Sequence, residues 1–411
     1  MVNSHHVNGL HGCDPSPPRH HGLIFRTGLA LIAGLCTAFS VHATSLDSEL
    51  PDDLTDMSLE ALMDIEVTSV SKKPQKQSEA AAAVFVITND DLRRWGVTNI
   101  PEALRRVPGI EVARIDANKW AITSRGFNSR FANKLLVLID GRSVYTPLFA
   151  GVYWDSQDVV LEDVDRIEVI RGPGGTLWGA NAVNGVINII TKSAAETQGT
   201  LVSLTAGNEV KGIGTVRHGG RMKNGMDYRV YAKFNSYDSG YNPDGAHDDW
   251  RTGQLGFRTD WVKTERDTVT FQGDYYRGVA GQLVNIPAGP PGPPPTTVIP
   301  TVSDTDTAGG KLLFRWSHIL ENNSNFALQL YDDHVGLDGA VLYEDRDTFD
   351  VDFQHHFNWR EKHDIVWGFD YRHTRGNTEN NPTFSLDPSA RSVNLYSTFI
   401  QDEYSLREDL R

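Results

Sequence analysis

From Gly199 onward apolar and polar side chains alternate with a period of two. Phe349, Val351, Phe353, Phe357 and Trp359 fall on odd positions, while Asp350, Asp352, Gln354, His356 and Asn358 fall on even ones. The pattern recurs in Ile365, Trp367, Phe369 and Tyr371 against Asp364, Asp370 and Arg372. It recurs again in Tyr228, Val230, Ala232 and Phe234 against Arg229, Tyr231, Lys233 and Asn235. A strand with this spacing wants hydrocarbon on one face and water on the other. Ten such strands are expected, near 199–207, 211–222, 226–238, 250–263, 266–277, 306–320, 323–335, 347–360, 362–374 and 391–407.

Their connections differ by side. Met222 to Gly225, Lys263 to Asp267, Leu320 to Asn325 and Arg360 to His363 read as tight polar turns. Tyr237 to Asp249, Gly278 to Thr305, Gly336 to Arg346 and Arg375 to Ala390 read as longer loops. Outer-membrane barrels divide their connections between periplasm and exterior in this way, a parity that a soluble sandwich does not require. Trp261, Trp316, Trp359, Tyr276 and Tyr396 lie near strand ends, where a ring can sit at the lipid headgroups. The run from Pro287 to Pro300 reads as a stiff outer loop, because proline donates no ladder hydrogen bond. After the first 43 residues no run of about 20 apolar residues occurs, which excludes a helical membrane span there.

Residues 1–43 read as an export signal, with Arg19 and Arg26 before the apolar run Leu29 to Phe39 and Val41-His42-Ala43 as the cleavage site. Both cysteines, Cys13 and Cys36, lie inside it, so the exported part carries neither thiol nor disulfide. A net charge of −14 argues against nucleic acid as a partner.

Between Glu66 and about Lys192 the pattern is compact α/β. Strands are expected at Ala83 to Thr88, Ile110 to Ile115, Ala121 to Ser124, Leu135 to Asp140, Arg166 to Ile170 and Gly185 to Thr191. Asn89 or Asp90 caps a short helix through Arg94, and a second helix runs from Pro101 to Val107 until Pro108-Gly109 stops it. The glycine-rich stretch "VIRGPGGTLWGANAVNGVINIITK" (169–192) is not a nucleotide loop. Leu177 stands where a dinucleotide fingerprint after Gly172 and Gly174 needs glycine, and Ala180 stands after Gly179 where a phosphate loop needs lysine.

Four stretches in order, "PEALRRVPGIEV" (101–112), "ITSRGF" (122–127), "LLVLIDGRSVY" (135–145) and "VDRIEVIRGPGGTLWGANAVNGVINIITK" (164–192), resemble the TonB-dependent outer-membrane receptors. The resemblance covers the plug and the first part of the barrel. It implies an α/β plug domain followed by a transmembrane antiparallel β-barrel of about 22 strands, with about ten present here. It also implies a bacterial outer-membrane protein that imports a scarce nutrient. The expected domain plan is a signal peptide at 1–43, a flexible N-terminal segment at 44–75, the plug at 76–193 and a partial barrel at 199–411. Gly126, Gly141, Gly172, Gly174, Gly175, Gly179 and Gly185 are then structural, letting the plug backbone turn and approach its neighbours.

The resemblance implies site residues as well. Asp64, Ile65, Glu66, Val67, Thr68, Ser69 and Val70 look like the box that pairs as an added strand with TonB, which draws on an inner-membrane energising complex. An ordinary plug strand or linker is the other reading of that stretch, and Ser71-Lys72-Lys73-Pro74 beyond it is expected to stay flexible. Arg125 and Arg171, in "RGF" and "RGP", are expected to meet barrel carboxylates in strands beyond this chain, with a surface ion pair as the alternative. Arg130, Phe131, Asn133, Tyr153, Trp154, Tyr241 and Trp250 are candidate ligand contacts, because aromatic and cationic groups suit an anionic, ring-bearing ferric siderophore. Ordinary packing accounts for any one of them equally well.

No other constellation carries chemistry. His355 and His356 point to opposite faces of a strand, with His356 inward, which spoils them as joint metal ligands. The carboxylates are scattered rather than paired across a cleft, so no enzyme activity, metal or cofactor is expected. The reading is a TonB-dependent receptor set among outer-membrane lipid and importing a ferric siderophore. A haem or cobalamin receptor, a passive pore or adhesin, and a non-functional truncated fragment are the alternatives. About 22 strands need about 440 residues beyond the plug, so the chain is expected to be a piece of a longer gene.

Overall fold

The computed structural model describes residues 66–241, 245–287, 298–322, 324–360 and 362–407, all within one compact unit spanning 58–411. The expected signal peptide and the first two box residues, Asp64 and Ile65, lie outside the described residues.

The chain enters through two paired two-residue strands, β1 (Glu66–Val67) and β2 (Gln75–Lys76). Strand β3 (Val84–Thr88) runs straight into helix α1 (Asn89–Trp95). The cap is Thr88, not Asn89 or Asp90: its hydroxyl accepts from Asp91 N–H, and the Asp91 carboxylate accepts the Thr88 N–H. This reciprocal box satisfies two donors that a helix start leaves free. Helix α2 (Ile100–Leu104), capped by Asn99, ends before the expected Val107. Strands β4 (Ile110–Arg114) and β5 (Trp120–Ser124) make a hairpin beside it.

The plug sheet is completed by β6 (Leu135–Ile139), β7 (Arg142–Ser143), β10 (Val164–Ile170) and β11 (Gly185–Thr191), with the separate pair β8 (Tyr145–Thr146) and β9 (Gly151–Val152) lying between them in sequence. Its order is β3-β10-β11-β6-β7, and β11 runs parallel to β6. Helix α3 (Gly175–Trp178) fills the turn between β10 and β11. Every residue of β6 is buried, and Ile167, Val169, Ile187 and Ile189 close the core over Leu104 and Trp120. A strand buried on both faces reads as an unbroken apolar run, which is how "LLVLI" appears. Strands β7, β8 and β9 were not anticipated, since two residues cannot display a period.

Ten antiparallel strands follow and pair in chain order. They are β12 (Gly199–Thr205), β13 (Val210–Arg221), β14 (Asp227–Tyr237), β15 (Trp250–Thr264), β16 (Asp267–Pro287), β17 (Val298–Ile319), β18 (Asn325–Gly339), β19 (Tyr343–Trp359), β20 (His363–Thr378) and β21 (Ala390–Tyr404). Their alternation divides the wall as the pattern requires. On β14, Arg229, Lys233 and Asn235 are buried against the plug, while Val230 and Phe234 are exposed on the other face. Register aligns Phe271, Phe314, Leu330, Val351, Tyr371 and Tyr396 into one outward row across six strands. Such a row belongs in lipid.

Three expectations about the wall need correction. The loop expected over 278–305 is mostly a hairpin, and the one expected over 336–346 shrinks to 340–342. Pro300 pairs with Asn285, but β17 meets β18 only from Thr305 and β15 meets β16 only as far as Ala280. Both Pro287 and Pro300 therefore sit where the hairpin has outrun its neighbours, and an edge tolerates proline. With 21 and 22 residues, β16 and β17 greatly exceed the ~9–11 needed to cross a bilayer, so this hairpin projects on the long-loop side. Finally, Tyr276 does not belong to the lipid girdle: its hydroxyl is buried on the plug side, and the adjacent Tyr275 faces outward.

Candidate functional site

At the long-loop end an aromatic cluster bridges plug and wall. Phe131 stacks on Phe149 at 5.0 Å between ring centroids, and Tyr153 meets Phe131 edge-on at 5.5 Å. Phe384, from the connection after β20, tilts against Phe149 at 5.7 Å. Val335 and Leu337 of β18 close the cluster from below. Gly151 makes it possible, because a Cβ there would fall 2.7 Å from the Phe131 backbone. The Arg130 guanidinium lies over the Phe131 ring, 5.1 Å from its centroid. Tyr153 donates its hydroxyl to Glu344 of β19 at 3.1 Å, and Arg346 donates to the same carboxylate at 3.2 Å. Burial first, and then Glu344, push the Tyr153 hydroxyl well above its ordinary pKa, so it stays a donor.

The other candidate contacts separate. Trp154 and Trp250 are core residues: Trp250 stacks on Tyr237 at 4.4 Å and donates its indole N–H to Ala117 O. Tyr241 is 97% exposed. Asn133 is exposed. Phe149, Phe384, Glu344 and Arg346 were missed, because nothing in the local sequence shows that residues so far apart converge.

The plug is bound to the wall by buried charge along its flank. Asp163 stands between Arg217 and Arg229, pairing with the first and lying 3.6 Å from the second. Asp158 accepts from Lys233 at 2.7 Å and from Asn235. Arg142 pairs with Asp333 at 2.9 Å. Asp140 accepts from Thr191 N–H at 2.8 Å and from Gln272 at 2.9 Å. Burial opposes its charge, but Arg258, these donors and Arg315 hold its carboxyl below the ordinary 3.8.

Arg125 and Arg171 bond to plug carbonyls. Arg125 donates to Arg171 O at 3.2 Å and Arg171 to Pro108 O at 3.2 Å. Among the described residues no carboxylate lies within ion-pair distance of either. Of the turn glycines, Gly179 has φ 71° and Gly185 would place a Cβ 2.5 Å from Ile170 O, whereas Gly172 and Gly175 would meet only ordinary contacts.

At the short-turn end lies the described part of the box-like stretch. Glu168 is fully buried and accepts Thr68 N–H at 3.0 Å and Ser69 N–H at 2.8 Å, while Arg166 balances its charge at 2.8 Å. Trp178 donates to Ser69 O at 2.7 Å, and Asn188 to the Ser69 hydroxyl at 3.0 Å. Val67 is buried against Leu136, Leu138 and Ile170. The segment expected to be loose is pinned in this structure, because buried polar partners and an apolar pocket meet it.

An α/β plug laid against an antiparallel wall with an apolar outer face defines a plugged outer-membrane receptor. The chain carries the plug domain of TonB-dependent receptors together with ten wall strands, and its fold is that of receptors of the bacterial outer membrane. Residues 76–186 match the TonB-dependent receptor plug domain. Over 150 residues the chain is 34% identical to the vitamin B12 transporter BtuB of Vibrio vulnificus, covering 36% of this chain and 24% of that protein. The siderophore receptor PirA from Pseudomonas aeruginosa superposes with a TM-score of 0.58 at 20% identity, over 79% of this chain and 53% of that one. The pyoverdine receptor FpvA from Pseudomonas aeruginosa, bound to pyoverdine, gives 0.64 at 15% identity, over 84% and 57%. These two structures speak for the fold alone. The chain matches about a quarter of the curated relatives' length and about half of these solved structures.

Proposed function

We propose that the protein works in energy-coupled import of a ferric siderophore across the outer membrane. One arrangement carries the reading: the plug holds an aromatic and cationic patch at the long-loop end, and the box-like stretch at the opposite end. Ligand would bind over Phe131, Phe149 and Phe384 with Arg130 beside them, where π faces and a guanidinium suit an anionic aromatic chelate. TonB would add a strand to residues 64–70 and pull, and the seam of ion pairs would yield. The process needs no bond-making, and no catalytic group is invoked. Cobalamin is the second reading, favoured by the 34% identity to BtuB.

The test is uptake of labelled ferric siderophores and of cobalamin by cells carrying the complete parent gene, with and without residues 64–70. Siderophore uptake that the deletion abolishes is the expected result. Undiminished uptake in the deletion strain would overturn coupling and favour a passive pore or adhesin. Coupled uptake of cobalamin alone would establish the second reading.

A further inference from the structure

Between the apolar outer row and the short turns, the outward face of the wall changes chemistry. Register aligns Asp267, His318, Phe326, His355 and Trp367 into one tier across β16 to β20. Trp316 donates its indole N–H to Asp267 at 3.0 Å, His318 pairs with the same carboxylate at 2.8 Å, and Trp367 donates to His355 at 3.1 Å. Closer to the turns, Trp359, His363 and Tyr404 line up in register, with ring centroids 5.1 Å and 4.8 Å apart. Rings whose polar edges are held by wall partners, directly below an apolar band, occupy the level of lipid headgroups.

Cations crown these tiers. The Arg360 guanidinium lies 4.6 Å from the centroid of Trp359, and the Lys263 ammonium 5.8 Å from that of Trp261. Arg266 and Lys362 stand in the same two turns, and all four cations are exposed. Among the described residues none of the four has a carboxylate within ion-pair distance, although Glu265 and Glu321 are exposed on the same rim. Arg221, at another short turn, is by contrast paired with Asp227 at 2.8 Å. A lysine or arginine facing only water extends freely, whereas Arg360 and Lys263 lie along indole faces of the wall with their charge still uncompensated. The partner such groups lack is an anion at headgroup depth, and a phosphate accepts the fork of a guanidinium.

We propose that Lys263, Arg266, Arg360 and Lys362, with Trp261 and Trp359, form a binding surface for the phosphate headgroups of anionic phospholipid in the leaflet on the short-turn side. The surface is continuous with the lipid-facing row and complements the charge of that leaflet. It lies on the outside of the wall, away from the plug, and is independent of which nutrient is carried. Its consequence is positional: headgroups held at these turns fix the depth of the wall in the bilayer.

The test uses the complete parent protein reconstituted in phosphatidylcholine vesicles. Phosphatidylglycerol or phosphatidylcholine with brominated acyl chains is titrated in, and quenching of tryptophan fluorescence reads which lipid lies against the wall. Brominated phosphatidylglycerol should reach half-quenching at an about fivefold lower fraction, the advantage of about one surface cation. Replacing Lys263, Arg266, Arg360 and Lys362 by glutamine should bring the two titrations together, with quenching by brominated phosphatidylcholine unchanged because the wall is still inserted. Arg266→Lys with Arg360→Lys should keep the preference, and high salt should weaken it in the parent. Equal quenching by the two lipids in the parent, or an undiminished preference in the glutamine variant, would overturn the proposal.

Discussion

Tyr153 of the plug and Glu344 of the wall share a hydrogen bond of 3.1 Å directly beneath the aromatic cluster. The bond joins the face proposed to meet ligand to strand β19, which farther along holds Lys72 through Asp352. Removing the hydroxyl with Tyr153→Phe takes one donor from a buried carboxylate that keeps Arg346 and Thr146, and a hydrogen bond to a charged group contributes about 1.5–3 kcal/mol. A double-mutant cycle with Glu344→Gln, followed by thermal unfolding in detergent, should give a coupling of that sign and size. Additive effects would show that the two residues act separately.

Asp163 neutralises two guanidinium groups that would otherwise be buried with like charge. Asp163→Asn should destabilise the plug–wall contact by roughly 3–5 kcal/mol, the cost of breaking a buried pair. Limited proteolysis of the plug in the variant, compared with the parent, measures this directly.

Acid should loosen the seam at Asp140. Its folded-state pKa lies below the ordinary 3.8, so the folded form binds the proton less readily than the unfolded form. The stability this confers is fully present above that ordinary value and is lost as pH falls below it through the depressed folded value. Asp140→Asn should therefore flatten the loss of stability in that acid window, as followed by intrinsic fluorescence during acid titration.

Two glycines of the same turn should behave differently. Gly185→Ala drives a methyl group into Ile170 O and should cost about 1–3 kcal/mol through overpacking. Gly172→Ala, whose Cβ would find its nearest neighbour at 3.9 Å, should be close to neutral in the same denaturant titration.

The outward row can be probed at Leu330. Leu330→Arg should disfavour the membrane-inserted form by about 2–4 kcal/mol if the row lies near the bilayer midplane, measured by equilibrium folding into vesicles. A neutral outcome would place that row outside the hydrocarbon.

The number of wall strands and the face most of their side chains take, Tyr276 excepted, were legible from residue order alone, because lipid on one side imposes a strictly local period on every strand. The plug was legible in the same way, from its apolar runs and from motifs that recur in order. Which charges meet was not legible. Asp163 finds Arg217 across 54 positions, and Lys73 finds Asp364 across 291. The ordering of the box-like stretch by Glu168 has the same origin. An ion pair depends on the register of two distant strands and on which plug loop faces them, so it arises only when the chain has closed on itself; periodicity needs no such closure.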